Sequence, residues 1–526
     1  MNRLSLTPSP LVPRFDWRAF LLAALFALAA LFTYTQANRF PATYHPDEPS
    51  KARQILNQAA GKKDAYNFHH PMLMLTGTTV LTRLAGTPLE IQAVTVAGRW
   101  VSALFTSGAV FLLVLLAALL AGPFAAFAAG ALLLINHELF ELAHYFKEDP
   151  ALLFGVSAFF LALALYDRAP GWSRALLLGA GLGLAISGKY VGAAVAPFAL
   201  FVLWQHRQAF GFGRALALLL LGCVLVLVAA NIPILLHPHL FADGFTREVD
   251  FVVVGHKGIT RSVPHGVYWK VFLDAVMPIR WLPIVGLLLV AYYASLWLRR
   301  RAATAAEWAL AIFPIAFALM LSFSPKTHHR YFLPDSAFLL VLASLGLAQL
   351  RRFRWNDRPL PATLAPALLA AAILVQLPTF LDYYRGFRHE GRAAMAEYLR
   401  AHVAPGTVIV QDKRVDLDAL GLPYELWGKL FAADQGTIDQ LRAWHVEYVA
   451  VAEGDYGRFD AKALRATDAG AADFNRRREF YRQLFAEGEL IFECPPGTLQ
   501  YLQPRLKLYR LRPAATPAPS ATPALP

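Results

Sequence analysis

The side chains best suited to chemistry in this sequence are charged and histidine residues placed at the edges of apolar runs. Residues 44–54 read Tyr-His-Pro-Asp-Glu-Pro-Ser-Lys-Ala-Arg-Gln, so Asp47 and Glu48 stand close behind an apolar stretch at 19–34. A carboxylate there can serve as a general base or a cation ligand. It can equally cap a helix starting near Pro49. Further on, the His69-His70-Pro71 step offers an imidazole to a phosphate, or simply a surface turn. Lys147, Glu148 and Asp149 are squeezed between two apolar runs, where unpaired carboxylates are costly. Arg99 opens another run, Lys189 interrupts two short ones in Ser-Gly-Lys-Tyr, and Lys326 to Tyr331, with His328, His329 and Arg330, precedes a late one. Each cation alone reads as a side chain snorkelling to an interface. Together on one face with two carboxylate pairs, they suit an anionic lipid headgroup held beside a base.

The elements that must position these groups are membrane helices. Of 526 residues, 57% are hydrophobic and 16% charged, and the mean hydropathy is +0.42, a balance that points to a multi-span membrane protein. Apolar runs recur at 19–34, 101–120, 124–142, 151–166, 176–186, 191–204, 215–236, 282–298, 305–323, 331–350 and 364–381. At roughly 20 residues per span this gives about 11 transmembrane helices. The runs at 176–186 and 191–204 are short enough to be one broken element.

Counted from a cytoplasmic N-terminus, Arg3, Arg14 and Arg18, Arg168 and Arg174, Arg207 and Arg214, Arg299 to Arg301, and Arg351 to Arg358 share one side. This is the positive-inside pattern. It accounts for the formal charge of +13 as topology and argues against a nucleic-acid partner. It also puts residues 36–92, 143–150, 188–190, 237–280 and 324–330 outside. The first run reads as an anchor and not a cleaved signal, because a long Pro-rich segment precedes it.

Residues 1–384 therefore form a membrane domain with a long outside loop at 36–92, and 385–512 an extracytoplasmic α/β domain. In the latter, 392–402 and 479–487 have helical periodicity, and 407–411, 446–451 and 506–511 read as strands. The stretch 513–526 is a Pro/Ala-rich disordered tail. Cys223 and Cys494 suggest no disulfide framework. Ten of 15 His fall in outside loops, yet none has zinc-protease spacing. A divalent cation on Asp47, Glu148 and Asp149 stays open.

The order Asp47-Glu48, His70-Pro71, Arg99, Asp149, Lys189 in "SGKY" and Arg330 in "RYFLP" resembles the GT-C class of integral-membrane glycosyltransferases. That class includes protein O-mannosyltransferases and lipid A aminoarabinose transferases, and the resemblance covers 19–381. It implies a sugar donor on a polyprenyl phosphate or diphosphate, transfer on the extracytoplasmic face to a hydroxyl of a glycan, lipid or protein, inversion at the anomeric carbon, and no certain cofactor. It implies that Asp47 is the base, with Glu48 beside it and Asp149 organising the site. His70, Arg99, Lys189, Arg330 and Tyr331 would hold the donor phosphate. High Ala, Leu and Arg usage suits a bacterium, hence its inner membrane. A transporter or lipid flippase is the competing reading, and a membrane-anchored scaffold a third. Against the second, ionisable groups gather at one face and no inverted repeat is evident.

Overall fold

The computed structural model describes all residues except 1–3, 7–16, 40–42, 256–257, 262–271, 273–280, 325–327, 356–357, 389, 461–463, 500 and 512–526. Lys326 and the tail 513–526 thus lie outside the described residues. The chain divides into two compact units.

The first unit, residues 1–39, 47–255 and 263–385, is a helical bundle. Among the described residues, six helices are long and apolar enough to cross a membrane, or seven if the bent pair Pro123–Leu134 and His137–Ala143 is one span. Shorter apolar helices occupy Tyr190–Gln205, Pro283–Leu298 and Ala305–Leu321. The elements that carry the polar residues are α1 (Trp17–Tyr34), α2 (Glu48–Ala59), α3 (Leu73–Leu84), α4 (Ile91–Ala121), α5 (Pro123–Leu134), α6 (His137–Ala143), α7 (Asp149–Arg168) and α8 (Trp172–Gly188). A helix at Leu333–Leu350 runs through the bundle with nearly every residue buried.

Boundaries follow local chemistry. Gly122, at φ +90°, ends α4, and Pro123 at the first position of α5 starts the next helix. Between the two short runs, Lys189 is extended (φ −162°, ψ 142°), so α8 stops and a tight helical turn, Tyr190–Val195, begins. The runs are two elements with a polar joint between them. The close approach of α7 and α8 rests on small residues, as in membrane helix packing generally. A Cβ at Gly188 would sit 2.5 Å from the backbone nitrogen of Leu152, so only glycine lets the end of α8 reach the start of α7.

The second unit, residues 40–46, 256–262 and 386 onward, holds a five-stranded sheet. Its strands are β1 (Val408–Asp412), β2 (Glu425–Lys429), β3 (Tyr448–Ala452), β4 (Glu489–Cys494) and β5 (Leu506–Arg510), in the order β2-β1-β3-β5-β4. β1 pairs with β2 and β3 in parallel, and β5 pairs with β3 and β4 antiparallel. Alternation along the central strands sends Val410, Val449 and Val451 to one core and Ile409, Ala450 and Ala452 to the other. Helix Ala471–Glu487 covers the first core and Gly391–His402 the second. The strands 425–429 and 489–494 escape a pattern reading because their mixed polar sequences, ELWGK and ELIFEC, show no clean period.

Candidate functional site

Five consecutive residues, Tyr145 to Asp149, form the hub of the polar site. They link α6 to α7, and each is tied to a different part of the first unit. Tyr145 donates its hydroxyl to Glu141 at 2.7 Å, and its carbonyl accepts from Ser102 at 2.5 Å. The Phe146 N–H donates to Glu48 at 3.0 Å. Lys147 donates to Asp47 at 2.8 Å. Glu148 pairs with Lys51 and lies 3.9 Å from His70. Asp149, the first residue of α7, accepts from Lys189 at 2.8 Å and is 3.8 Å from Arg330.

Packing aims the hub. Phe146 lies flat against α4, where a Cβ at Gly98 would stand 2.3 Å from its ring. The next residue, Arg99, sends its guanidinium to both oxygens of Glu48, at 3.1 and 2.7 Å, and to the Asn38 carbonyl at 3.1 Å. Both Glu48 and Arg99 are fully buried. Asp47 occupies the N-cap position of α2, but its side chain makes no capping bond; it reaches Lys147 instead. The helix start therefore does not account for this carboxylate.

The His70 turn is fixed to the Lys189 joint by groups that no motif announced. Asn231 accepts from the Met72 N–H and donates to Ser187, both at 2.8 Å. The Tyr190 hydroxyl donates to the Phe68 carbonyl at 3.1 Å. Phe68 holds φ +49°, a left-handed backbone that a bulky residue adopts only when its surroundings impose it. Lys189 lies 4.2 Å from the centre of the Tyr331 ring, and Arg330 5.4 Å.

Exposure divides these groups. Asp47 is 46% exposed, His70 23%, Lys189 15% and Arg330 13%, whereas Glu148, Asp149 and Lys147 are at 3% or less. The site is thus a buried ion-pair scaffold that presents one reachable carboxylate and several partly reachable cationic groups. Two of its lysines carry perturbed proton affinities. Burial, then the charge of Lys147, pulls Lys51 well below the ordinary lysine range. Burial lowers Lys147 too, against the opposing pull of Asp47.

The structure brings together all nine candidates named from the sequence, Glu148 among them, and buries Glu48 and Arg99 completely. Sequence reasoning passed over Lys51, whose position one helical turn after Asp47 was the available signal. It also left Lys147 without a role. A divalent cation fits poorly: among the described residues no group of three or more His, Cys, Asp or Glu could hold a metal, and Asp47, Glu148 and Asp149 are each paired with a lysine.

With this geometry in view, likeness to known proteins can be set out. Residues 79–247 match the model of the dolichyl-phosphate-mannose-protein mannosyltransferase family. The solved structure of ArnT from Cupriavidus metallidurans bound to undecaprenyl phosphate superposes at a TM-score of 0.54 with 16% identity, covering 92% of this chain and 97% of that one. Its apo form gives 0.53 over the same shares. Comparison with curated proteins gives no match. The chain thus shares the fold of ArnT over nearly its whole length and is similar to the mannosyltransferase family over residues 79–247.

Proposed function

We propose that this chain is a GT-C glycosyltransferase that moves a sugar from a polyprenyl-phosphate donor to an acceptor hydroxyl on the extracytoplasmic face, with inversion. The observation that carries the reading is the half-exposed Asp47 beside partly exposed cations in an otherwise buried ion-pair hub. In the proposed step the acceptor oxygen attacks the anomeric carbon while its proton passes to Asp47. The bond from that carbon to the phosphate oxygen breaks, and the lipid phosphate leaves with growing charge. Lys189, Arg330 and His70 face that charge where water is partly excluded, an arrangement worth roughly 3 kcal/mol of barrier per well-placed donor. Asp149 holds Lys189 and Arg330 on one side, and the Glu48–Arg99 pair fixes the hub from beneath. The arginine distribution supports a cytoplasmic N-terminus, about 11 crossings and an outward-facing second unit.

Purified protein in liposomes, given a panel of polyprenyl-phosphate-linked sugars and an envelope lipid or glycan extract, should release polyprenyl phosphate and label the acceptor. Movement of the lipid across the bilayer with no release of phosphate would replace this reading by the flippase. Lipid mass spectrometry of a deletion strain, looking for the lipid-linked sugar that accumulates, would identify the donor.

A further inference from the structure

Glu141 takes no part in the step above, yet it is 2% exposed and lies inside the bundle on α6. A buried carboxylate is costly unless hydrogen-bonded and charge-compensated. Glu141 draws its compensation from two loops far apart in sequence. One oxygen accepts from the Tyr145 hydroxyl at 2.7 Å, and the other lies 3.5 Å from Nε2 of His329. Tyr145 opens the hub segment that ends at Asp149. His329 directly precedes Arg330 and Tyr331, the groups set against Asp149 and Lys189.

We infer that Glu141 is a positioning residue that sets the Arg330–Tyr331 turn against the hub and so shapes the anion-holding wall before the donor arrives. The inference rests on the reading that these cations hold the donor phosphate. Misplacement of such a group by about 1 Å can cost on the order of 10²-fold in rate. The same helix supplies an internal control. Glu138, one turn earlier, accepts from Ser336 inside helix Leu333–Leu350; it also feels the charge of His329, but acts on that imidazole less than Glu141 does.

The test measures KM and kcat for a polyprenyl-phosphate-linked sugar, and the thermal unfolding midpoint, for the full-length wild type, Glu141→Gln, His329→Gln, the double variant and Glu138→Gln. Glu141→Gln and His329→Gln should each raise the donor KM about tenfold with kcat within about twofold. The double variant should be no worse than the poorer single one, because both break one link, and Glu138→Gln should raise the KM clearly less than Glu141→Gln, since Glu138 acts on His329 more weakly. Unchanged KM in Glu141→Gln, additive losses, or an equal KM rise in Glu138→Gln would each overturn the inference. If Glu141→Gln does not fold, His329→Gln alone decides by the same KM criterion. A wild type that transfers nothing from any such donor marks failure of the functional reading instead.

Discussion

The two ends of the helical bundle hold the same kinds of side chain in opposite arrangements. At the end where α7 finishes, Arg207 stacks on Trp204 at 4.5 Å, Arg300 on Trp297 at 4.8 Å and Arg351 on Phe124 at 4.8 Å, all three arginines exposed. Glu307 closes a capping box with Thr304 and pairs with Arg299 at 2.9 Å, eight residues away. These are mostly local contacts that anchor helix ends. At the hub end, the pairs Glu48–Arg99, Asp47–Lys147 and Asp149–Lys189 join residues 51, 100 and 40 positions apart, and bury most of the charges they join. Local, exposed charge can be met within a single helix end. Charge buried between distant segments requires the whole fold to compensate it, an expensive arrangement that makes the hub the candidate for chemistry.

The most severe break in that contrast is Asp47→Asn. The expected outcome is a loss of transfer on the order of 10²- to 10⁴-fold, with a much smaller effect on the unfolding midpoint, because Asp47 is 46% exposed and the buried Lys147 keeps Glu148 at 3.5 Å. Arg300→Gln at the opposite end should leave the transfer rate alone. A variant carrying Asp47→Asn that transfers at the wild-type rate would remove the base assignment.

Glu48→Gln probes the scaffold beneath. Removing one partner of a fully buried pair strands the other, and typically costs about 3–5 kcal/mol of stability. Both members are 0% exposed, so the loss should appear first in the thermal unfolding midpoint. A variant as stable as the wild type would show that this end is held by something other than its ion pairs.

Lys189→Gln comes next, with an expected loss of roughly 3 kcal/mol in kcat/KM for the donor and a smaller effect on folding than Glu48→Gln, since the buried Asp149 keeps Arg330 at 3.8 Å. Its counterpart is Asp167, the exception at the arginine end. It accepts from the Ala306 N–H at 2.8 Å and pairs with His206 at 2.7 Å, so it is buried and long-range like a hub residue. Asp167→Asn should cost about 1–3 kcal/mol of stability while the rate per folded molecule stays constant. A fall in rate at constant stability would mean that the arginine end also takes part in the reaction.

Much of the helical framework is readable from apolar runs alone, because helix is the favoured way to satisfy the backbone in a membrane. Asp47, Asp149, Lys189 and Arg330 were readable for a related reason: a charge at the edge of an apolar run is conspicuous. Lys51 offered only its one-turn spacing from Asp47 within EPSKARQ, which has the composition of any solvated helix, and Asn231 offered nothing beyond a helix end. Which carboxylate meets which cation is decided by how α2, α4, α7 and α8 pack, and that rests on contacts such as Phe146 against Gly98 and Gly188 against α7. A glycine's spacing value is invisible until the helix it touches is known.

The gentlest test uses pH, and the two ends should respond differently because arginine keeps its proton throughout. Lys51 and Lys147 at the hub have folded proton affinities below that of a free lysine, chiefly through burial. In the window between the lowered folded value and the ordinary one of about 10.4, the unfolded chain binds more protons than the folded one, so stability rises with pH there. Activity should move the other way. Each lysine that loses its proton removes positive charge from the site proposed to hold phosphate, and Lys147 also ceases to hold Asp47 in place, so the donor KM should climb below the pH at which free lysine titrates. Opposite slopes of unfolding midpoint and kcat/KM over one alkaline window are the expected signature. Lys147→Arg should flatten both slopes, leaving only the part due to Lys51. A donor KM that stays level until free lysine itself titrates would show that the buried ammonium groups are structural, as the arginines of the opposite end are.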